Sequence, residues 1–469
     1  MDKKDGSMFL LVLICIVGMM DSLDGSVVNV ALPTIATDMG VDMATVSWMT
    51  VSYFAMMAGL IILFGKIANN TSIKKVLLGG LTIFVLSSAV CGLSTNFAVL
   101  IGARLFQGVG AAMMGATGPM ACVRYFSPRI LGFALSCMTI GYSVGAALGP
   151  SVGGFLVEYL SWHWIFFINI PIGILLIAAV HFAMAEVPPV ENVHVDYRGA
   201  LLLFASIISL LMVFEFINTP VYMVPFIVLF VLFTLAFIRF ESKQDEPLLN
   251  LKVFRNRDFL YSLVTFFLIN AVYLGMLYLI PFFMHIEMGL SESQTGLFLL
   301  LPPIITLVFG LPIGRWSDRT GRRWFCVAAG FVVLVMAVIL ATSLGKNPLF
   351  MAVALTCAGF SWAFCGGPVM SRVVETVEGE SREMASSVAN EVAYLGSTMG
   401  TALFASLFSL SAGTYGMEIS SLSPEIFQTG MTFTMIFAAV LAIVCIVLSY
   451  IVRDENHEDE DAGDEEIQG

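Results

Sequence analysis

The chain has 469 residues, of which 58% are hydrophobic and only 12% are charged, and its mean hydropathy is +0.91. Because water-soluble proteins carry about 25% charged residues, this composition excludes a chain that folds wholly in water. The net charge of −12 is concentrated at the C-terminus, where residues 453–469 hold nine acidic residues and one arginine. We expect this segment to be a disordered, acidic cytoplasmic tail.

Apolar runs of about 20 residues recur along the chain between short polar loops, which is the pattern of membrane-spanning helices. The sequence therefore predicts an all-α polytopic membrane protein. The fourteen predicted spans are 8–32, 45–66, 76–95, 98–124, 132–157, 164–184, 198–217, 221–240, 259–283, 293–315, 324–344, 349–371, 384–410 and 430–452. The first run follows two lysines like a signal peptide, but it holds two aspartates and no small-residue cleavage site, so we expect it to be retained.

The distribution of basic residues predicts on which side of the membrane each loop lies. With fourteen spans and the N-terminus inside, 20 of the 22 lysines and arginines fall on the inner side, while Lys346 falls in an outer loop and Arg104 within a span. Such an asymmetry is what the positive-inside rule predicts for a chain with both termini in the cytoplasm.

Several functions are excluded by what the sequence lacks. The eight cysteines lie singly in apolar runs, without metal spacing or a disulfide framework. Nucleotide-binding, zinc-protease and nucleophile-elbow motifs are missing as well. We therefore expect no enzyme, no catalytic residue, no cofactor, no metal site and no nucleic-acid partner. Since no loop is long enough to fold as a domain, the function must lie within the helix bundle.

Two loops share a pattern that indicates an internal repeat. GKIANNTSIKK (65–75) and GRWSDRTGRR (314–323) each place a glycine at a helix end and then a basic turn. They predict two six-helix halves, 8–184 and 259–452, with two extra central helices in the inserted segment 185–258 and a cytoplasmic N-terminus at 1–7. Paired halves with a site at their interface are a transporter architecture.

From residue 8 to 452 the chain resembles the major facilitator superfamily, and most of all its fourteen-span drug:proton antiporter branch. GRWSDRTGRR is similar to the family's loop signature except at Trp316. Four further segments resemble family motifs, and these are LDGSVVNVALPTI (23–35), RLFQGVGAA (104–112), GAALGPSVGG (145–154) and SWHWIFFINIPIG (161–173). The resemblance implies the major facilitator fold and proton-driven export.

The chain departs from the family pattern in three places. The first loop has Asn69, Asn70, Ser72 and Ile73 where the family has Asp, Arg, Gly and Arg, so a gating contact is weakened there. His163 replaces an arginine. Glu391-Val392 stands where many relatives have Arg-Gln, which reverses a charge inside the bundle.

Asp21 and Asp24 lie within the first predicted span, where a carboxylate is unfavourable by about 2.5–3.5 kcal/mol. Being three residues apart, they share one helical face with Cβ atoms about 5–6 Å apart. Both cannot ionise comfortably in a medium of low dielectric, so we expect the pair to exchange a proton as a unit. The resemblance covers only Asp24, which we expect to couple transport to protons, and Asp21 is expected to modify it. Alternatively, Asp24 bonds structurally to Asn29 or to a neighbouring helix.

Two further charges are candidates for proton coupling. Arginine stays protonated, so Arg104 needs a carboxylate or carbonyl partner. The resemblance implies that it takes part in proton coupling, and the alternative is a structural bond to carbonyls of the first span. We expect Glu391 to neutralise a cationic substrate or to serve as a second proton site, unless its carboxyl reaches the inner water layer.

Conformational roles are expected at two motifs. The glycine spacing around Gly145, Gly149, Pro150, Gly153 and Gly154 allows close helix approach and a bend, so the contact is either a hinge or fixed packing. In the second loop, the resemblance implies a latch in which Asp318 bonds a neighbouring helix end. The remaining members of that motif are Gly314, Arg319, Gly321 and Arg322.

The predicted function is secondary active transport, in which proton-coupled antiport exports small amphipathic, cationic drugs or toxic compounds by alternating access. Residues expected to line the substrate cavity, rather than to face lipid or fill gaps, are Tyr53, Met113, Met138, Tyr142 and Phe364. The expected partners are a small-molecule substrate, protons and the lipid bilayer. We expect the protein to be a monomer in a prokaryotic plasma membrane. The alternatives are an exporter of one specific metabolite and a non-transporting membrane sensor.

Overall fold

The computed structural model describes residues 8–126, 128–188, 197–216, 219–244, 253–320, 323–377, 381–413 and 423–451. Within these ranges the regular structure is helical, and no strand is present. The acidic tail and the N-terminal residues 1–7, for which we made predictions, lie outside the described residues.

Ten α-helices lie in the first part of the chain. They are α1 (Met8–Met39), α2 (Met43–Val46), α3 (Trp48–Asn70), α4 (Ile73–Leu93), α5 (Phe97–Tyr125), α6 (Pro128–Tyr159), α7 (Trp164–Phe167), α8 (Asn169–Ala183), α9 (Tyr197–Glu215) and α10 (Pro220–Glu241). The helices of the second part are α11 (Arg257–Ile286), α12 (Glu292–Leu299), α13 (Leu301–Thr320), α14 (Arg323–Ala341), α15 (Pro348–Glu375), α16 (Ser381–Ala412) and α17 (Pro424–Ile451).

Among the described residues, fourteen helical stretches are long and apolar enough to cross a membrane, which confirms the predicted number. Several helices run beyond their predicted ends. Helix α1 continues to Met39 instead of ending near residue 32, and α17 begins at Pro424 instead of residue 430. A helix of 32 residues is about 48 Å long and outreaches the ~30 Å hydrocarbon core, so hydropathy does not mark its ends.

Polar side chains mark several helix starts instead. Asp42 accepts a hydrogen bond from the Thr45 amide at 2.8 Å, and Asn96 accepts one from the Ala98 amide at 2.8 Å. Ser291 and Gln294 form a capping box at the start of α12. Because the first amides of a helix have no partner within it, such side chains decide where the helix begins.

The chain divides into two compact units. Unit 1 takes its residues from Met1–Leu248, Leu277–Leu300 and Thr401–Gly430, and unit 2 from Leu249–Met276, Leu301–Gly400 and Met431–Gly469. In unit 1, α9 packs on α3 with Phe204 over Gly59, and α10 packs on α9 through a 2.6 Å hydrogen bond between Ser206 and Thr234. The boundaries 8–184, 185–258 and 259–452 for two halves and an insertion stay a prediction.

Candidate functional site

A buried ion pair lies within unit 1. Asp24, near the middle of α1, has no exposed surface, and its Oδ2 accepts a hydrogen bond from Nη1 of Arg104 at 2.7 Å. Arg104 lies on α5 and is 1% exposed. Two charges removed from water in this way are stable only if each finds further polar partners.

Those partners come from several helices. Gln107 on α5 and Asn169 on α8 both donate to Asp24 Oδ1, at 2.9 and 2.6 Å. Gln107 also accepts from Arg104 at 2.7 Å and donates to Ser88 on α4 at 2.8 Å. The Nε of Arg104 donates to the Met49 carbonyl of α3 at 2.9 Å. The ion pair is therefore held in place by donors and acceptors from α1, α3, α4, α5 and α8.

Asp21 joins this group through an aromatic side chain. The hydroxyl of Tyr53 donates to Asp21 Oδ1 at 2.6 Å, and the Arg104 guanidinium carbon lies 4.3 Å from the centroid of the Tyr53 ring. A guanidinium over a ring face is attracted by the negative face of the ring. We call the set Asp21, Asp24, Tyr53, Ser88, Arg104, Gln107 and Asn169 the ion-pair cluster.

The structure thus brings together three residues that the sequence singled out for proton coupling, namely Asp21, Asp24 and Arg104. Sequence reasoning missed Ser88, Gln107 and Asn169, and it assigned Tyr53 to a substrate cavity. A signal was present for two of them, because Gln107 and Asn169 are polar residues within the family-like motifs RLFQGVGAA and SWHWIFFINIPIG. Nothing in the sequence points to Ser88.

The fourth residue expected to take part in proton coupling, Glu391, lies in unit 2 on α16. It is 6% exposed, and neither carboxyl oxygen has a hydrogen-bond partner among the described residues. Its neighbours Val388 and Val392 pack in an apolar cluster with Phe266 and Cys365. A carboxyl in these surroundings is either protonated or paired with a cation that enters from outside.

The glycines of the motif GAALGPSVGG lie at close helix contacts in unit 1. A Cβ atom at Gly145 would lie 2.2 Å from the Met19 carbonyl of α1, and those at Gly149 and Gly153 would also meet α1. On the other side, a Cβ at Gly154 would lie 2.4 Å from the Glu292 carbonyl of α12. A conformational role for this contact, and for Pro150 within it, stays a prediction.

Only part of the second loop motif is described. Nothing lies within 4 Å of a Cβ built at Gly314, at the end of the apolar part of α13. The side chains of Asp318 and Arg319, and all of Gly321 and Arg322, lie outside the described residues.

The other residues expected to line a cavity lie in both units. In unit 1, Met113 packs on Gly79 and Gly80 of α4, Met138 on Gly118, and Tyr142 on Gly18 of α1. In unit 2, Phe364 stacks on Phe360 with ring centroids 5.9 Å apart. Their contact with substrate stays a prediction. Among the described residues, no group of His, Cys, Asp and Glu could hold a metal ion.

Comparison with known proteins decides the family. The sequence profile of the Major Facilitator Superfamily matches residues 14–401. The chain belongs to this superfamily. The resemblance seen in the motifs is thereby confirmed, and so is the transporter fold.

Similar members of the superfamily carry different substrate names. The riboflavin transporter RibZ of Clostridioides difficile is 29% identical over 416 residues, which cover 88% of this chain and 90% of RibZ. The multidrug efflux pump SdrM of Staphylococcus aureus is 25% identical over 417 residues, which cover 88% of this chain and 92% of SdrM. Among solved structures, a bacterial homologue of the human lysosomal transporter Spinster has a TM-score of 0.70 at 15% identity, covering 95% of this chain and 98% of that one. This last similarity concerns the fold alone.

Proposed function

We propose that this superfamily member is a proton-coupled antiporter that exports small amphipathic cations across the plasma membrane by alternating access. The observation that carries the proposal is the ion-pair cluster, which places two acids and an arginine inside membrane-spanning helices. Ionisable side chains within the membrane are unfavourable, and they mark ion pathways and proton relays.

The cluster can couple a proton to a cation through its net charge. With both acids ionised, Asp21, Asp24 and Arg104 together carry a net charge of −1, and one added proton makes them neutral. Because charges interact strongly where the dielectric constant is low, a cation is favoured by the first state and not by the second. Proton uptake from outside would therefore release a cationic substrate there, and proton loss to the cytoplasm would allow the next one to bind.

Glu391 supports the same substrate class from unit 2. Its buried carboxyl, with no partner among the described residues, offers a negative charge to a cation or takes a second proton. The name of the relative SdrM, a multidrug efflux pump, agrees with a broad range of substrates.

The test uses the full-length protein in proteoliposomes with ethidium, a planar lipophilic cation, as the probe. We expect ethidium to move against its gradient when a pH gradient is imposed, and ethidium added alone to release protons. Asp24→Asn should abolish this coupled movement while the protein still inserts, because the variant leaves Arg104 without its charge partner. Full export by Asp24→Asn would contradict the proposal. A parent protein that moves neither ethidium nor protons would contradict the proposal as well, and would leave a carrier of one metabolite or a non-transporting sensor as the alternatives.

A second candidate is transport of one specific metabolite, and the relative RibZ, a riboflavin transporter, favours it. Unit 2 contains a pair of stacked aromatic rings, Tyr273 and Trp362, with centroids 5.3 Å apart and planes 25° apart, which offers a surface for a planar ring. Radiolabelled riboflavin distinguishes the two candidates. Saturable movement of riboflavin that ethidium does not inhibit would favour the single metabolite, whereas inhibition by several unrelated cations would favour multidrug export.

A further inference from the structure

We infer that Asp21 holds the exchangeable proton of the ion-pair cluster, while Asp24 stays ionised as the permanent partner of Arg104. This assignment rests on the proposed function. It reverses the roles expected from the sequence, in which Asp24 exchanges the proton and Asp21 modifies it.

Asp24 is surrounded by donors that favour its ionised form. Three N–H groups, from Arg104, Gln107 and Asn169, donate to its two oxygens at 2.6–2.9 Å. These bonds are charge-assisted, and protonation would weaken all three, because a protonated carboxyl is a poorer acceptor and carries a hydrogen of its own. Protonation would also leave the Arg104 charge buried without its carboxylate, which is the unfavourable half of a broken buried pair.

Asp21 differs in each of these respects. Within the described part of the chain it accepts one side-chain hydrogen bond, from the hydroxyl of Tyr53. A tyrosine hydroxyl both donates and accepts, so it can donate to the carboxylate of Asp21 or accept from the protonated acid without losing its partner. Asp21 also keeps 5% of its surface accessible, whereas Asp24 has none. Asp21 thus has a partner that suits both protonation states and some exposed surface through which a proton can pass, whereas Asp24 is bonded directly to a permanent cation and has no exposed surface.

The ionisable groups that face Asp21 determine how readily its carboxyl takes up a proton. They are Tyr53 from α3, Arg104 from α5 and, on α1 itself, Asp24. Helix α8 contributes the neutral amide of Asn169 to the same cluster, and α6 places Tyr142 against Gly18, one turn from Asp21. The acid of α12, Glu292, bonds Thr34 more than three turns away, and α2 and α7 have no ionisable side chain. The Arg104 charge therefore serves Asp24 directly, and Asp21 is the acid that remains to titrate.

The proton step is a simple transfer. Water on the outer side gives a proton to a carboxylate oxygen of Asp21, and Tyr53 then accepts a hydrogen bond instead of donating one. The cluster changes from a net charge of −1 to neutral while the Asp24–Arg104 bond remains intact. Loss of the proton to water on the cytoplasmic side restores the charge, and no covalent bond to carbon is formed or broken.

Infrared spectroscopy tests this assignment without any substrate. The sample is the full-length protein carrying Glu391→Gln, a change that removes the buried acid of unit 2. Its pH is lowered from mildly alkaline to mildly acidic in lipid. We expect a carboxylic-acid band of a buried group to grow, and Asp21→Asn to remove that band. Because Asp24→Asn alone leaves an unpaired arginine that would act on Asp21, the comparison is the double variant Asp24→Asn/Arg104→Gln, in which the band should persist.

Tyr53→Phe provides a further readout. It keeps the ring beneath Arg104 and removes only the hydroxyl, so we expect the midpoint of the band to move by about half a pH unit, a threefold change in proton affinity. A band that survives Asp21→Asn, one that disappears in the double variant, or no titrating band in the parent would each overturn the assignment. The two hypotheses can fail separately. If the proposed function is wrong but the assignment is right, ethidium and protons do not move together in the parent, while the Asp21 band still titrates.

Discussion

Arg104 organises the candidate site, because each of its contacts serves a different need. Its Nη1 pairs with Asp24 and also bonds Gln107, its Nε bonds the Met49 carbonyl, and its planar group lies over the Tyr53 ring. A guanidinium always carries its charge and has five donors in a fixed plane, so it can hold several acceptors at once. A lysine at this position would supply the charge but not this geometry.

Gln107 gives a test of how far the ion pair depends on its neutral partners. Replacing it with leucine keeps the volume but removes an acceptor of Arg104 and the donor shared by Asp24 and Ser88. Since a buried polar group without its partner is destabilising by about 1–3 kcal/mol, we expect Gln107→Leu to reduce stability by at least this amount. The measurement is the thermal unfolding midpoint of the purified protein in detergent.

The control for this variant is Thr82→Val on α4. Thr82 is exposed, and its hydroxyl bonds only the Leu78 carbonyl of its own helix. Its unfolding midpoint should stay within error of the parent. An unchanged midpoint for Gln107→Leu would mean that the amide contributes nothing to the ion pair.

Helices α1 and α6 approach each other closely because glycines recur at every fourth position of α6. Cβ atoms at Gly141, Gly145, Gly149 and Gly153 would each meet α1 at 2.8 Å or less. On another face of α6, a Cβ at Gly154 would lie 2.4 Å from the Glu292 carbonyl of α12, and a Cβ at Gly296 of α12 would lie 2.3 Å from the Pro150 carbonyl. The glycine spacing noted in the sequence thus lets α6 pack closely against both α1 and α12 within unit 1.

A pair of matched glycine variants tests this contact. Gly145→Ala would put a methyl group 2.2 Å from the Met19 carbonyl, whereas nothing lies within 4 Å of the same methyl at Gly102 on α5. Overpacking is destabilising by about 1–3 kcal/mol, while Ala is favoured over Gly in an open helix position by about 0.5–1 kcal/mol. We expect Gly145→Ala to lower the unfolding midpoint and Gly102→Ala to leave it equal or higher. Equal shifts for the two variants would show that the α1–α6 contact has room to spare.

Across the chain, the same type of contact occurs in both units. In unit 2, Cβ atoms at Gly396 and Gly400 of α16 would lie 2.5 Å from the Phe267 carbonyl and 2.0 Å from the Ala271 carbonyl of α11. Helices α11 and α16 hold the first and fifth spans of the predicted second half, as α1 and α6 do in the first half. This recurrence is what two repeated six-helix halves would produce, and the repeat itself stays a prediction.

Fourteen spans and the distribution of basic residues together predict that both termini lie in the cytoplasm. A green fluorescent protein fused after residue 469 should be fluorescent, and alkaline phosphatase at the same position should be inactive, because the latter folds only outside the cytoplasm. Phosphatase fused after Lys346, the lysine of the predicted outer loop, should be active. An active phosphatase at the C-terminus would contradict the predicted topology, because either the number of spans crossed in the cell is odd or the N-terminus lies outside.

Much of the candidate site was visible in the chain before the fold was known, for a physical reason. A carboxylate or guanidinium in an apolar run is unfavourable enough to stand out, so Asp21, Asp24, Arg104 and Glu391 could be singled out one by one. Ser88, Gln107 and Asn169 are neutral and tolerated along a span, so they did not stand out, although Gln107 and Asn169 lie within family-like motifs. Tyr53 was noticed as an aromatic residue, and its hydrogen bond to Asp21 was not foreseen.

By itself, the sequence determined that this is a membrane protein of fourteen spans and a member of its superfamily, because hydropathy, charge bias and motifs are local properties of the chain. Only the tertiary structure decided which polar side chains meet. The ion-pair cluster draws on five helices between residues 21 and 169, and no rule of spacing brings them together. The two aspartates look alike in the sequence. They differ in the fold because Asp24 meets three donors and Asp21 meets one hydroxyl.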